Sequence, residues 1–471
     1  MVSYTIGKLD SWKQIREALA GGADSQGPLF QMTNWVWLGL RENPSEGWQR
    51  FPSMVAWAVA LWATQRALVP TVNPWLAAAA ALTTLAWPES LLHLGENRAY
   101  GMLMLFCASA VWVNAKIHLD GETRKLLCFA GAIQGAGILT HPMAAVFGAS
   151  ALGGLWLSGL RKRPFPWRTG VAYGVGWLAV VPWLGSLQGQ IEGTLAETVR
   201  WAPPPPPELL WSFLKPGWWI GSLTAVLAAS AVTGHGKKQI DGKRAANFLM
   251  ATGGFFLATG ITLWAVSQKT NPLFLERYVL PTRIGWACLL AGGVGIIGLA
   301  ENVQRATGAS GCALLLAALV VSTPQPRAVT GGFWSANPWV DAGLADEKFL
   351  AEALPVACET STVYLPRHHY RGRERQYYLI LNKEAAEEDG GPAMMDYKMN
   401  SAVRKVDPEQ KVLPGAEFVT KFARFYLLDE TGPSAGDRSF PRERYSWKEI
   451  SLGEGKEERN IRLFLVEKKR G

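Results

Sequence analysis

The sequence predicts a polytopic α-helical membrane protein with about ten transmembrane helices and a small C-terminal α/β domain. Up to about Thr323 the chain consists mainly of Ala, Leu, Gly, Val and Trp, and its charges are confined to short clusters. The apolar segments there approach ~20 residues, the length that crosses the hydrocarbon core of a bilayer. After Arg327 charged residues become frequent and no long apolar run remains, which indicates a soluble part.

Residues 1–50 are predicted to form an extracytoplasmic loop with interfacial helices. Residues 1–23 are amphipathic and lack the apolar core of a signal peptide. Pro28 suits the start of a helix, and the Trp-rich run after it is too short to span a bilayer comfortably. We therefore expect this helix to lie at the membrane interface.

Residues 51–325 are predicted to form the transmembrane domain. Candidate spanning helices cover residues 51–69, 75–92, 98–115, 124–140, 141–159, 170–187, 217–233, 246–266, 279–299 and 308–323. One set of loops between them is rich in Lys and Arg, and the positive-inside rule makes this set cytoplasmic. The other set holds the polar hinge 89–100, the corner 139–142, the loop 188–215 and the stretch 269–283. We expect these polar segments to meet at the extracytoplasmic face.

Residues 326–471 are predicted to form a soluble extracytoplasmic α/β domain. The sequence favours a helix over 344–354 and strands over 361–365, 422–428 and 461–467. The five cysteines do not indicate a disulfide framework, because four of them lie in apolar segments. The net charge of +9 comes from short basic loops between apolar segments, which argues against a nucleic-acid partner.

The polar hinge 89–100 carries the first candidate site residues. An ionisable residue at a membrane face is costly and is by default a candidate functional group. Glu96 and Arg98 are expected to form a buried ion pair that orients a site, or an interfacial pair that ends a helix. Tyr100 is a site residue or an interface aromatic, and Glu89 is a second acid or a solvated residue.

Further candidates lie in the other polar segments. Asp24 is a catalytic or metal-binding carboxylate, or the N-cap of the helix that begins near Pro28. His141 could bind a metal ion or a phosphate, or be a structural residue. Arg277 is the preferred phosphate contact, since its fork suits bidentate binding, although it could also be a snorkelling interfacial arginine. Lys269 and Arg283 flank it and could serve instead.

Four stretches resemble motifs of the GT-C superfamily, in particular bacterial enzymes similar to dolichyl-phosphate-mannose protein mannosyltransferases and lipid A aminoarabinose transferases. Residues 24–38 with Arg50-Phe51-Pro52-Ser53 resemble "D-x-H-P-P-L-Y … R-L-P-S", and Glu96-Asn97-Arg98-Ala99-Tyr100 resembles "E-x-R-x-Y". Leu139-Thr140-His141 resembles the "L-T-H" corner, and Arg277-Tyr278-Val279-Leu280-Pro281 resembles "R-Y-L-L-P". The order and spacing of these stretches over residues 1–300 carry the resemblance.

The resemblance implies transfer of a sugar from a polyprenyl-phosphate donor to a lipid, glycan or protein acceptor outside the cytoplasm, in the cell membrane. It implies catalytic roles for Asp24 and Glu96 and donor-phosphate binding by Arg277, Arg98 and Lys269, with Tyr100, His141 and Tyr278 as further site residues. A carboxylate would remove the acceptor proton, and a cation would stabilise the leaving phosphate. No cofactor is certain, and a divalent metal ion is a possible one.

The sequence departs from the family pattern in two places, and these departures leave alternative hypotheses open. Family members usually carry an acidic pair just after a first transmembrane helix, and the sequence begins where the residues after that pair are expected. We therefore expect a first helix to be missing from it; the alternative is that the topology assigned above is inverted. The usual His-Pro-Pro is Gln26-Gly27-Pro28 here. The alternatives are an inactive relative with the same fold, or a non-enzymatic membrane protein such as a transporter or an envelope-assembly scaffold.

Overall fold

The structure, a computed structural model, describes most of the chain in two compact units. The described residues are 2–24, 26–42, 44–159, 166–188, 204–214, 240–270, 273–322, 350–371, 375–407, 411–430, 438–450 and 461–469. The first unit comprises Met1–Ser25, Gly185–Ala202 and Pro326–Gly471, and the second comprises Gln26–Leu184 and Pro203–Gln325. The domain boundaries after residues 50 and 325 stay predictions.

The second unit, called the helical unit below, is built from helices. Helices α1 (Val2–Gly7) and α2 (Trp12–Ala20) belong to the first unit. The helices of the helical unit are α3 (Pro28–Gly39), α4 (Glu46–Leu68), α5 (Pro74–Leu82), α6 (Pro88–Leu94), α7 (Tyr100–Asp120), α8 (Arg124–Thr140), α9 (Met143–Gly159), α10 (Trp167–Trp177), α11 (Pro207–Leu214), α12 (Ile240–Ser267), α13 (Thr282–Ile297) and α14 (Glu301–Ser322). Helix α12 packs against α9 and α13, α4 packs against α7, and α8 packs against α10.

The apolar character of these helices explains both their packing and their outer surface. Large side chains such as Trp57, Phe147 and Phe256 fill the interior, whereas Val175 and Leu314 are more than 60% exposed. Helices Tyr100–Asp120, Trp167–Gln188 and Gly242–Ser267 are, among the described residues, long and apolar enough to cross a membrane. Exposed apolar side chains on such helices are typical of a surface that faces lipid.

The observed helices follow the predicted spans, with two interruptions and one gap. The predicted helix 170–187 is interrupted because α10 ends at Trp177 and a 3₁₀ helix, Leu178–Trp183, follows it. The predicted helix 75–92 is broken: α5 ends at Leu82 and a 3₁₀ turn, Thr83–Leu85, leads to α6. The hydroxyls of Thr83 and Thr84 donate to the carbonyls of Ala80 and Ala81, and Pro88 lies in the first turn of the new helix. Proline cannot donate to the preceding turn, so it favours a helix start here. The predicted helix 217–233 lies outside the described residues.

The first unit contains a six-stranded sheet and the helices α1 (Val2–Gly7) and α2 (Trp12–Ala20). Its other elements are β1 (Val356–Cys358), α15 (Ser361–Arg371), β2 (Tyr377–Leu381), α16 (Lys383–Asp389), α17 (Gly391–Val406), β3 (Val412–Pro414), α18 (Gly415–Lys421), β4 (Arg424–Glu430), β5 (Tyr445–Ile450) and β6 (Ile461–Lys468). Gln14 Nε2 of α2 donates to the carbonyl of Val406 at 3.2 Å, which ties the N-terminal helices to α17.

The strand order of the sheet is β3-β2-β1-β4-β6-β5. Strands β3, β2, β1 and β4 are parallel, whereas β6 pairs antiparallel with both β4 and β5. Alternate residues of the strands enter two separate cores: Leu379 lies in one and Ile380 in the other. A parallel sheet with both faces covered is typical of an α/β domain.

The strands predicted over 422–428 and 461–467 are observed as β4 and β6, but the strand predicted over 361–365 is wrong. These residues begin α15, and the Asp396 carboxylate accepts from the backbone N–H of Ser361 at 3.1 Å. A carboxylate at this position satisfies a free N–H of the first helical turn, which outweighs the strand preference of Thr362, Val363 and Tyr364. Most of the predicted helix 344–354 lies outside the described residues.

Close helix packing leads to a testable prediction in α10. A Cβ added to Gly176 would overlap the carbonyl oxygen of Gly131 on α8, whereas a Cβ on Gly174 would meet nothing within 4 Å. We expect Gly176→Ala to lower the free energy of unfolding by about 1–3 kcal/mol, because overpacking displaces one helix from the other. Thermal unfolding of purified protein, followed by tryptophan fluorescence, measures this. An equal effect of the control, Gly174→Ala, would contradict the explanation.

Candidate functional site

The turn between α6 and α7 carries Glu96 and Arg98 in the helical unit. Helix α6 ends at Leu94 with Gly95 as its C-cap, and the backbone N–H of Ala99 at the other end of the turn donates to Gln26 Oε1 at 2.6 Å. Glu96 Oε2 lies 2.8 Å from Nδ1 of His93, one turn earlier. Asn97 Nδ2 donates to Asn34 Oδ1 of α3 at 3.2 Å. The turn is therefore held from both sides by neighbouring segments.

The segment Gln26-Gly27 joins this turn to the end of α8. Gln26 accepts the hydrogen bond from Ala99, and the backbone N–H of Gly27 donates to the Thr140 carbonyl at 2.9 Å. A Cβ on Gly27 would overlap the carbonyl of Leu139, so only glycine allows this approach. The first three resembling stretches are thus linked by direct hydrogen bonds.

A row of aromatic rings continues from α6 to the start of α13. The His93 ring lies 5.1 Å from the Tyr100 ring, and His141 lies 6.0 Å from Tyr100 and 5.1 Å from Tyr278. His141 is 5% exposed and its Nδ1 accepts from the backbone N–H of Met143 at 3.2 Å. Its second ring nitrogen, Nε2, is the atom that could contact a ligand.

Arg277 completes the group. Its guanidinium carbon lies 5.3 Å from the centre of the Tyr278 ring. Its charge acts on Glu96, Tyr100 and His141, so the four side chains lie within electrostatic range of one another. We call the following residues the Glu96 cluster: His93, Glu96, Arg98, Tyr100, His141, Arg277 and Tyr278.

The charge state of Glu96 follows from its neighbours. Burial raises the pKa of its carboxyl, but the hydrogen bond with His93 and the positive charges of His93, Arg98 and Arg277 together hold the pKa below its usual value. The carboxylate is therefore ionised at neutral pH. The ionised Glu96 lies within electrostatic range of two guanidinium groups, those of Arg98 and Arg277, and such groups bind phosphate oxygens in a bidentate manner.

The structure brings together six of the eight predicted site residues: Glu96, Arg98, Tyr100, His141, Arg277 and Tyr278. Lys269 follows the end of α12 and is exposed, and none of the described contacts that join the Glu96 cluster includes it. Asp24 lies in the first unit, where it is 2% exposed and accepts a hydrogen bond from Ser3 Oγ at 3.1 Å. The alternative role of Asp24 as the N-cap of α3 is wrong, because the residue at the N-cap position is Gly27.

Sequence reasoning missed two members of the site. His93 precedes Glu96 by three residues, and this spacing places two side chains on one helix face, so the pair could have been recognised. Gln26 stands where the family pattern has histidine, and it was noted only as a departure. For metal binding, the described residues contain no group of three or more His, Cys, Asp or Glu side chains that could hold an ion.

Comparison with known proteins gives the fold its name. No protein-family model and no curated protein sequence matches the chain. Among solved structures, ArnT from Cupriavidus metallidurans in the apo state superimposes with a TM-score of 0.55 and 14% identity, over 94% of this chain and 87% of that chain. ArnT is a lipid A aminoarabinose transferase with the GT-C fold. The chain shares its fold with ArnT.

A second structure of the same enzyme, ArnT bound to undecaprenyl phosphate, superimposes with a TM-score of 0.55 and 13% identity, over 94% of this chain and 88% of that chain. The predicted fold class is thereby confirmed in its coarse form: a mostly helical protein that resembles ArnT, with apolar helices and a small sheet. The number of transmembrane helices, the missing first helix and the roles of the site residues stay predictions.

The ionised state of Glu96 leads to a prediction on pH. A carboxyl whose pKa is lower in the folded state contributes stability that is complete above the unfolded pKa, ~4.3, and is lost as the pH falls through the folded pKa. We expect the difference in melting temperature between wild type and Glu96→Gln to be largest above about pH 5 and to shrink below about pH 4. A difference that stays constant down to about pH 3 would contradict the charge interactions.

The glycine contact leads to another prediction. Gly27→Ala should lower the free energy of unfolding by about 1–3 kcal/mol, because the new methyl group pushes the Gln26-Gly27 segment away from α8. Hydrogen exchange of the Ala99 amide, which donates to Gln26, should become faster in the same variant. Gly95→Ala is the matched control, since its Cβ would meet nothing within 4 Å. Unchanged exchange at Ala99 would show that Gly27 does not hold the turn.

Proposed function

We propose that this protein is a membrane glycosyltransferase that moves a sugar from a polyprenyl-phosphate donor to a lipid, glycan or protein acceptor. The observation that carries the proposal is the Glu96 cluster, in which arginines from two distant segments, Arg98 and Arg277, act on one carboxylate. Two guanidinium groups in an apolar helical unit suit the phosphate of a lipid carrier. The binding of undecaprenyl phosphate by ArnT, which has the same fold, supports this donor class.

Each residue of the cluster has a proposed role. Arg277 and Arg98 bind the donor phosphate and stabilise the negative charge that it gathers as the bond to the sugar breaks. Glu96, ionised at neutral pH, balances the charge of both arginines and is proposed as a catalytic carboxylate beside Asp24. The rings of Tyr100, His141 and Tyr278 form a wall beside the cations. Asp24, two residues before Gln26, is the proposed base for the acceptor hydroxyl.

The distribution of basic loops supports an extracytoplasmic site. Helix α7 begins at the cluster with Tyr100 and α8 ends there with Thr140. The first turn of α8, with Arg124 and Lys125, therefore lies at the other end of the helical unit. At that other end His118 Nε2 contacts the Arg244 carbonyl at 3.2 Å. Glu122 accepts from the backbone N–H of Thr169 at 2.9 Å, which brings the start of α10 to the same end. The positive-inside rule makes this basic end cytoplasmic.

The test of this function is a sugar-transfer assay. Membranes that contain the full-length protein are supplied with a radiolabelled sugar on polyprenyl phosphate, and transfer to endogenous acceptors is counted. We expect Arg277→Gln to lower the rate by about 10²–10³, the usual effect of removing one group that stabilises transition-state charge. Asp24→Asn should lower it as strongly, because the proton acceptor is lost.

The matched control is Arg305→Gln, since Arg305 has a 65% exposed side chain in α14 and pairs only with Glu301 within its own helix turn among the described contacts. Like Arg277→Gln, this substitution removes one positive charge, but at a position far from the Glu96 cluster in sequence. It should change the rate of sugar transfer less than about twofold. Wild-type rates in the Arg277 variant would remove the proposed donor site. Normal binding of undecaprenyl phosphate without any transfer by the wild type would favour the inactive relative.

A further inference from the structure

Arg283, in the first turn of α13, is a buried arginine outside the Glu96 cluster. Most of its N–H groups have no hydrogen-bond partner among the described residues. Its exposed fraction is 6%, and its Nε and Nη1 atoms have no hydrogen-bond partner among the described residues. Nη2 lies 3.7 Å from Oε2 of Glu89, which is beyond hydrogen-bond length. Buried donors of a charged group are costly when unpaired, so this arginine suits a ligand that accepts several hydrogen bonds.

Two aromatic rings hold the guanidinium in place. Its central carbon lies 4.4 Å from the centre of the Trp87 ring and 5.5 Å from the centre of the Phe213 ring. Both rings are buried, at 6% and 4% exposure. Cation–π contacts fix the position of the planar group and use none of its N–H donors. We call Trp87, Glu89, Phe213 and Arg283 the Arg283 cluster.

The carboxylates near Arg283 are weak partners for it. Glu89 Oε2 also has no hydrogen-bond partner among the described residues, so the pair is held by charge alone. Glu276 acts on Arg283 electrostatically from the segment before α13. An anion with several oxygens at hydrogen-bond distance would therefore replace a contact that makes no hydrogen bond.

We propose that Arg283 binds the phosphate group of a lipid and that Glu89 is the counter-ion that this phosphate displaces. A phosphate offers anionic oxygens in the geometry of the guanidinium fork. A lipid is favoured over a free anion, because the rings of Trp87 and Phe213 make the surroundings of the arginine apolar and a hydrocarbon chain gains free energy by leaving water for such surroundings. The phosphate comes from the polyprenyl carrier or from a phospholipid of the bilayer.

This site differs from the donor site proposed above. Arg283 follows Arg277 by six residues, and its ring contacts and its ion pair involve none of the residues of the Glu96 cluster. The inference rests on the proposed function only where the carrier is the ligand. Binding can be measured without sugar transfer, so an inactive protein would leave this inference testable.

The test is native mass spectrometry of the full-length protein in detergent. The probes are undecaprenyl phosphate, phosphatidylglycerol and, as a lipid without phosphate, undecaprenol. We expect Arg283→Gln to weaken binding of at least one phosphate lipid by about tenfold or more and to leave undecaprenol unchanged. A loss confined to undecaprenyl phosphate identifies the carrier, and a loss confined to phosphatidylglycerol identifies a bilayer lipid.

Glu89→Gln distinguishes a ligand site from a structural ion pair. Removal of the competing carboxylate should strengthen binding of the same lipid severalfold, opposite in sign to the effect of Arg283→Gln. Arg277→Gln in the same titration tests the donor site separately. Arg283→Lys, which retains the charge but not the fork, replaces the glutamine variant if that variant does not fold, and should weaken binding less.

Two results would overturn the inference. One is binding of both phosphate lipids by folded Arg283→Gln, or by Arg283→Lys in its place, with wild-type affinity. The other is weaker binding by Glu89→Gln, equal in sign to the arginine variant, since this is what the loss of a purely structural pair would produce.

Discussion

The central constraint on this structure is that charges inside an apolar helical unit must have partners. A carboxylate or guanidinium taken out of water loses several kcal/mol of hydration, which only hydrogen bonds and opposite charges can return. Glu96 meets this requirement through His93, Arg98 and Arg277. Because Arg277 precedes α13 in the chain, its charge also couples that segment electrostatically to the turn before α7.

Hydropathy made most of the helical unit predictable. Helices α7, α8, α9 and α12 lie where apolar segments of spanning length were recognised, since their pattern depends on composition and not on tertiary contacts. The break between α5 and α6 was missed, because threonine is compatible with a helix interior and Pro88 lay inside a long apolar run. In the first unit, the strand prediction over 361–365 was wrong because a tertiary contact overrides local propensity: the backbone N–H of Ser361 donates to the Asp396 carboxylate.

The site was predictable to the extent that its residues are unusual in an apolar chain. Glu96, Arg98, His141 and Arg277 were recognised because ionisable residues are rare there. His93 was missed although its spacing from Glu96 was visible, and the role of Gln26 depends on a hydrogen bond to Ala99, 73 residues away in sequence. Sequence alone does not specify such long-range contacts. The alternative role of Asp24 as the N-cap of α3 is wrong, because the N-cap is Gly27, whereas its catalytic role stays a prediction.

The two arginines of the segment around α13 are stabilised in different ways, and this difference bears on how a lipid-linked substrate could be bound. Arg277 acts electrostatically on Glu96, a carboxylate that His93 already contacts, and its guanidinium lies against the Tyr278 ring. Arg283 lies against two ring faces, and the Oε2 atom of Glu89 has no hydrogen-bond partner among the described residues. A cation paired with a carboxylate that is itself held suits stabilisation of developing charge, because little reorganisation is needed during the reaction. A cation with free donors and a displaceable partner suits reversible binding, because the counter-ion neutralises it whenever the ligand has left.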